Sequence, residues 1–135
     1  MIPFRLVFKP GIPVHEQAKF AAKKAVISGQ LRPGDPFPSV RALSAGLKIN
    51  PNTAHKVITQ LINEGFLEVR PGIGTTVAAE LPPGNASDRA RLVGSDLEQL
   101  IVEAKRLGLT LQKFQAAVEE QWRRLEPGAH RDPHS

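Results

Sequence analysis

Residues 37–67 read FPSVRALSAGLKINPNTAHKVITQLINEGFL, and this stretch decides the fold. It divides into two helices joined by a tight turn. The first runs over about Ser39 to Leu47, beginning beside Pro38. The second opens on Asn50, a natural N-cap, with Pro51 at the first helical position, where its missing N–H costs nothing. Along that second helix Ala54, Val57, Ile58, Leu61 and Ile62 fall on one stripe, and Asn52, Thr53, His55, Lys56, Thr59, Gln60 and Asn63 on the opposite arc. The polar arc carries no acid. Asn, Gln, Thr and Lys side chains match base edges and phosphate oxygens, whereas a carboxylate would be repelled, so the arc suits a DNA major groove. A merely solvated face would account for the helix taken alone, and the surrounding sequence has to separate the two readings.

Working outward, Gly65 ends the second helix, and Phe66–Arg70 and Thr75–Ala78 read as two strands with Pro71-Gly72-Ile73-Gly74 as the hairpin turn. Upstream, Val14, Ala18, Ala21/Ala22 and Ala25/Val26 predict a helix from Val14 to Ser28, stopped by Gly29 as a C-cap. Ile2, Phe4, Leu6 and Phe8 alternate with Pro3, Arg5, Val7 and Lys9, the pattern of a one-face-buried strand or extended arm. Three helices followed by a β-hairpin are the layout of a winged helix-turn-helix domain, with the hairpin tip around Arg70 reaching an adjacent groove. The fold class expected is α+β, mainly helical, with this domain over residues 1–79.

Residues 80–86 contain Leu81-Pro82-Pro83-Gly84-Asn85 and read as a linker. A helix capped by Ser87 or Asp88 should follow and reach Leu107, with a break or kink at Gly94. Thr110 should cap a last helix carrying Leu111, Phe114, Val118, Trp122 and Leu125 at 3-4 spacing. Residues 87–126 form a helical dimerisation region in this reading, and 127–135 a disordered tail. Two short helices cannot bury such stripes alone, so Leu97, Leu100, Ile101, Ala104, Phe114, Val118 and Trp122 are expected to pack on each other and on a second copy.

The chain has 135 residues and no cysteine, which excludes disulfides and thiolate chemistry. The formal charge is +5, unevenly spread: residues 1–79 hold 10 Lys+Arg against 4 Asp+Glu, and residues 80–135 hold 8 against 9. A polyanion-binding module joined to a neutral one fits that split. No phosphate loop, catalytic triad or metal-ligand spacing appears, and the four histidines are dispersed, so no enzyme, metal or cofactor is expected. Neither a signal peptide nor a membrane-spanning run is read, and the expected location is the cytoplasm.

Six ordered blocks carry a family resemblance: Ile12-Pro13-Val14-His15-Glu16-Gln17, Ile27 to Asp35, Pro38 to Leu43, Asn50-Pro51-Asn52-Thr53, Glu64 to Leu67, and Gly72-Ile73-Gly74-Thr75. Together they resemble the GntR family of bacterial transcriptional regulators, and the short C-terminal region resembles its YtrA-like branch. His15 stands where the family usually has tyrosine. The resemblance implies a homodimeric repressor on a pseudo-palindromic operator in double-stranded DNA, often before its own gene and an ABC-transporter operon. It places DNA contacts on Arg41, Asn52, Thr53, His55 and Lys56 and on the wing tip at Arg70, Gly72 and Ile73. By chemistry, Arg41 suits a bidentate guanine or phosphate contact, Asn52 and His55 suit base reading, and Thr53 and Lys56 suit phosphates. No small-molecule effector can be named from the sequence. The competing reading is a winged-helix protein-interaction module without sequence-specific DNA binding.

Overall fold

The computed structural model describes residues 2–128. The chain divides into two compact units, one built on the residues up to Pro82 and rejoined at Leu125, the other spanning Pro83–Arg124.

In the first unit, α1 (Val14–Ile27), α2 (Val40–Leu47) and α3 (Pro51–Asn63) precede an antiparallel hairpin of β1 (Leu67–Arg70) and β2 (Gly74–Val77). Both helices of the pair begin as their sequence dictates. The Ser39 hydroxyl accepts from the Ala42 N–H at 3.1 Å, and the Asn50 side chain accepts from the Asn52 N–H at 2.7 Å. The turn between them closes on Lys48, whose φ of 57° makes it the one non-glycine with positive φ among the described residues. That left-handed residue lets the Ile49 N–H reach the Ser44 carbonyl at 3.0 Å, while the Ser44 hydroxyl donates to the Ile49 carbonyl at 2.6 Å.

The helix α3 is the axis of the core. It packs against α1, α2 and β1. Ala54, Val57 and Leu61 are fully enclosed with Ala18, Ala22 and Leu43, and Leu67 and Val77 close the cluster from the hairpin side. The alanine face of α1 makes this approach possible, since small side chains let two helices come close.

Two features of this unit depend on partners beyond the local sequence pattern. Of the strand or extended arm expected over residues 2–9, the arm is what forms. In it Phe4 is buried, Ile2, Leu6 and Phe8 are half-buried, and the Phe4 ring stacks on Phe37 with centroids 6.1 Å apart. The alternation was set by burial against α1 and α2 without any ladder to join. The Pro36 segment also pairs with the hairpin: Phe37 donates to the Thr75 carbonyl at 2.9 Å and Val77 to the Asp35 carbonyl at 2.8 Å. Pro36 and Pro38, which lack N–H groups, hid this edge pairing from a propensity reading.

In the second unit α4 (Ala86–Arg91) is capped by Asn85, which accepts from the Asp88 N–H at 2.7 Å, rather than by Ser87 or Asp88. At Gly94, where a break or kink could fall, the helix changes its winding without breaking. There α4 passes through a π-helical turn (Leu92–Asp96) directly into α5 (Leu97–Arg106), every junction residue keeping right-handed helical geometry. Gly108 then turns with φ 78°, and Thr110 caps α6 (Leu111–Arg124) through the Lys113 N–H at 3.2 Å. Of the residues expected at a dimer contact, Ala104 is buried, Leu97 and Phe114 are half-buried, and Leu100, Ile101, Val118 and Trp122 are exposed. The stripes therefore do not bury each other within one chain. For the tail, residues 129–135 lie outside the described residues, while Pro127 lies 3.2 Å from where a Cβ on Gly29 would sit.

Candidate nucleic-acid interface

The spacing of α3 puts Asn52, His55, Lys56 and Thr59 on one exposed face, with Thr53 half-buried at its edge. Arg41, in the first turn of α2, is also exposed. The wing tip is open on all sides. Arg70 pairs with Gly74 in the ladder, the Ile73 N–H donates to the Arg70 carbonyl at 3.0 Å, and Gly72 and Gly74 take φ of 78° and 111°. Only glycine adopts those angles without strain, so the tip is a bare backbone turn flanked by Arg70. Ile73 is 72% exposed, a large apolar side chain displayed at the very end of the wing.

The electrostatics are more one-sided than the charge count conveys. Each of the four carboxylates in residues 1–79 has an intramolecular partner. Glu16 meets His15 at 3.2 Å and Lys19 at 3.8 Å, and Asp35 accepts from the Arg32 N–H at 2.8 Å. Glu68 accepts from the Ala79 N–H at 2.7 Å. Glu64, at the end of α3, is gripped by Lys23 and by Lys19, the latter at 3.2 Å. Partial burial alone would raise the Glu64 pKa, but hydrogen bonds from Lys23 and Lys19 outweigh it and hold the group below the usual carboxylate value. Among the described residues, Arg41, Lys56 and Arg70 have no ion-pair partner. The acids are spent inside the fold, and the cations of α2, α3 and the wing are left for an outside anion.

Two exposed residues escaped the sequence reading. Lys48 is presented at the turn because the position after α2 is left-handed and lacks the usual glycine, so no residue type there marked it. Val69, 61% exposed, lies on the outer side of β1, opposite Thr75 in the ladder.

A three-helix core whose second pair turns through Lys48, followed by a glycine-tipped hairpin, defines a winged helix-turn-helix protein. Its family follows from comparison. The model of the gntR family of bacterial regulatory proteins matches residues 15–77. The chain is 32% identical over 108 residues to the HTH-type transcriptional repressor YtrA of Bacillus subtilis (strain 168), covering 80% of this chain and 83% of that protein. It belongs to the GntR family. Among solved structures, a chain described as a transcriptional antiterminator from Listeria monocytogenes EGD-e shares the fold at TM-score 0.79 and 22% identity, over 96% of each chain. A transcriptional regulator from Oenococcus oeni aligns at TM-score 0.59 and 28% identity, over 87% of this chain and 97% of that one. The protein is thus a DNA-binding transcriptional regulator and, like its relatives, not an enzyme. No helix among the described residues is long and apolar enough to cross a membrane.

Proposed function

We propose that the chain is a homodimeric repressor that lays α3 in the major groove of each half of a pseudo-palindromic operator and sets the wing against the flanking backbone. One observation carries this reading: the four carboxylates of residues 1–79 are all engaged internally, while among the described residues Arg41, Lys56 and Arg70 have no ion-pair partner and Asn52, His55 and Thr59 are exposed. Arg41 clamps a guanine edge or a phosphate, Asn52 and His55 read base edges, and Thr53 and Lys56 hold phosphates. Gly72 lets the wing backbone approach a phosphate, with Arg70 and Ile73 on either side.

Repression is supported by the 32% identity to a transcriptional repressor over most of both chains. Its targets are its own operon and a linked ABC-transporter operon. Dimerisation is supported by the uncovered Leu100, Ile101, Val118 and Trp122, since a single helix-turn-helix reads only a few base pairs and a two-fold pair reads two half-sites. Selection of bound sequences from random DNA by the purified protein tests the whole reading. A recovered motif with two-fold symmetry is the expected result. Recovery of no motif, with retention that is also insensitive to salt, would overturn it in favour of a protein-interaction module.

A further inference from the structure

One exposed face of α5 has a charge pattern with a two-fold centre of its own. An open strip of surface along this helix carries the apolar Leu97, Ile101 and Val102 together with Glu98 and Lys105. Ile101 is 37% and Val102 62% exposed. Gly94 leaves the start of the strip clear, because a Cβ there would meet nothing within 4 Å. Glu98 and Lys105 are about two turns apart and so project from nearly the same side of the helix. The midpoint between them falls between Ile101 and Val102, about 5 Å along the axis from each. Among the described residues neither has an ion-pair partner, whereas Arg106 next to them is already held by Glu103.

Reversing this face end for end places positive on negative and negative on positive, with apolar residues meeting at the centre. That is the condition for an isologous contact, in which one patch is complementary to itself. We infer that the partner of this strip is α5 of a second copy, packed antiparallel about a two-fold axis at Ile101–Val102, with Glu98 of each chain facing Lys105 of the other. The inference rests on the homodimer reading and adds its register. A parallel pairing would set Glu98 against Glu98 and Lys105 against Lys105, like charges at close range.

Charge reversal separates the possibilities, measured by sedimentation of the full chain over a range of concentrations, with helix content checked by circular dichroism. Glu98→Lys and Lys105→Glu should each weaken self-association roughly tenfold or more, because two attractive pairs per dimer become repulsive. The double variant should associate like the unaltered protein, and an equimolar mixture of the two single variants should form a heterodimer that neither forms alone. A dimer indifferent to either single reversal, or one that the double reversal fails to restore, would overturn the antiparallel register and leave the homodimer reading standing. A chain that stays monomeric at every concentration without any substitution would overturn the homodimer reading itself.

Discussion

The side-chain amide of Gln17 pairs with both backbone polar groups of Lys9: it accepts from the Lys9 N–H at 2.8 Å and donates to the Lys9 carbonyl at 2.8 Å. The same amide donates to the Ile12 carbonyl at 2.9 Å, so one buried side chain on α1 does for the arm what a strand neighbour would have done. Replacing Gln17 by Leu keeps the volume and orphans three backbone groups. The expected loss is about 1–3 kcal/mol in denaturant unfolding. Proteolysis in the arm before Lys9 should also accelerate, and an unchanged midpoint would show that the arm does not depend on this clamp.

Two glycines should respond in opposite senses to alanine. At Gly65 φ is +82°, and a Cβ would lie 2.6 Å from Pro82 Cγ and 2.8 Å from its Cδ. Gly65→Ala should therefore destabilise the winged unit by about 1–3 kcal/mol. Gly94, within the π-helical turn, has no left-handed φ and free space for a Cβ, so Gly94→Ala should stabilise the second unit by about 0.5–1 kcal/mol. Thermal unfolding of the two variants checks both signs at once.

Operator binding should distinguish a reading contact from a holding one. Arg41→Ala is expected to weaken binding by about 1–3 kcal/mol with the fold intact. Lys56→Ala should weaken all sequences about equally and lower the slope of log affinity against log salt by about 1 per site. Titrations against operator and scrambled DNA at several salt concentrations provide the measurement. Equal affinity for Arg41→Ala and the unaltered protein would remove Arg41 from the interface.

The Glu64 pair with Lys19 and Lys23 sets a sign for pH dependence. Its carboxyl is held below the unfolded value, so its contribution is fully present above that value and disappears as pH falls through the folded one. Glu64 is 38% exposed, and solvent screening limits the contribution to below about 1 kcal/mol. Glu64→Gln should cost that much at neutral pH, less in high salt and nothing once the pH is below both values. Denaturation curves at neutral and strongly acid pH decide it, and a cost that persists in acid would assign the effect to packing.

What could be read from residues 37–67 without coordinates was local. The cap at Asn50, the proline at position 51 and the apolar stripe of α3 depend on neighbours within one turn, and each reappears in the structure. The edge pairing of Pro36 with Thr76 and the seating of the arm through Gln17 depend on partners far along the chain, and no local period encodes them. The exposed face of α3 and the basic excess of residues 1–79 were visible as composition. That all four acids there are occupied was not, because it is a property of which carboxylate meets which donor in space.

The π-helical turn at Leu92–Asp96 has a consequence for how this chain tolerates insertions and deletions. Such a turn holds one residue more than the α-helical turn it replaces, and each residue of an α-helix advances it by about 100°. Deleting any one residue between Leu92 and Asp96 would return the segment to plain α-helix without breaking it. Because the wide turn already absorbs its extra residue, everything after the deletion would keep nearly its present phase relative to the residues before Leu92. The turn thus holds a spare residue: a single deletion within it leaves Leu97, Ile101 and Lys105 on nearly the side of the rod they now share with the residues before them, whereas the same deletion in plain α-helix would swing them by about 100°.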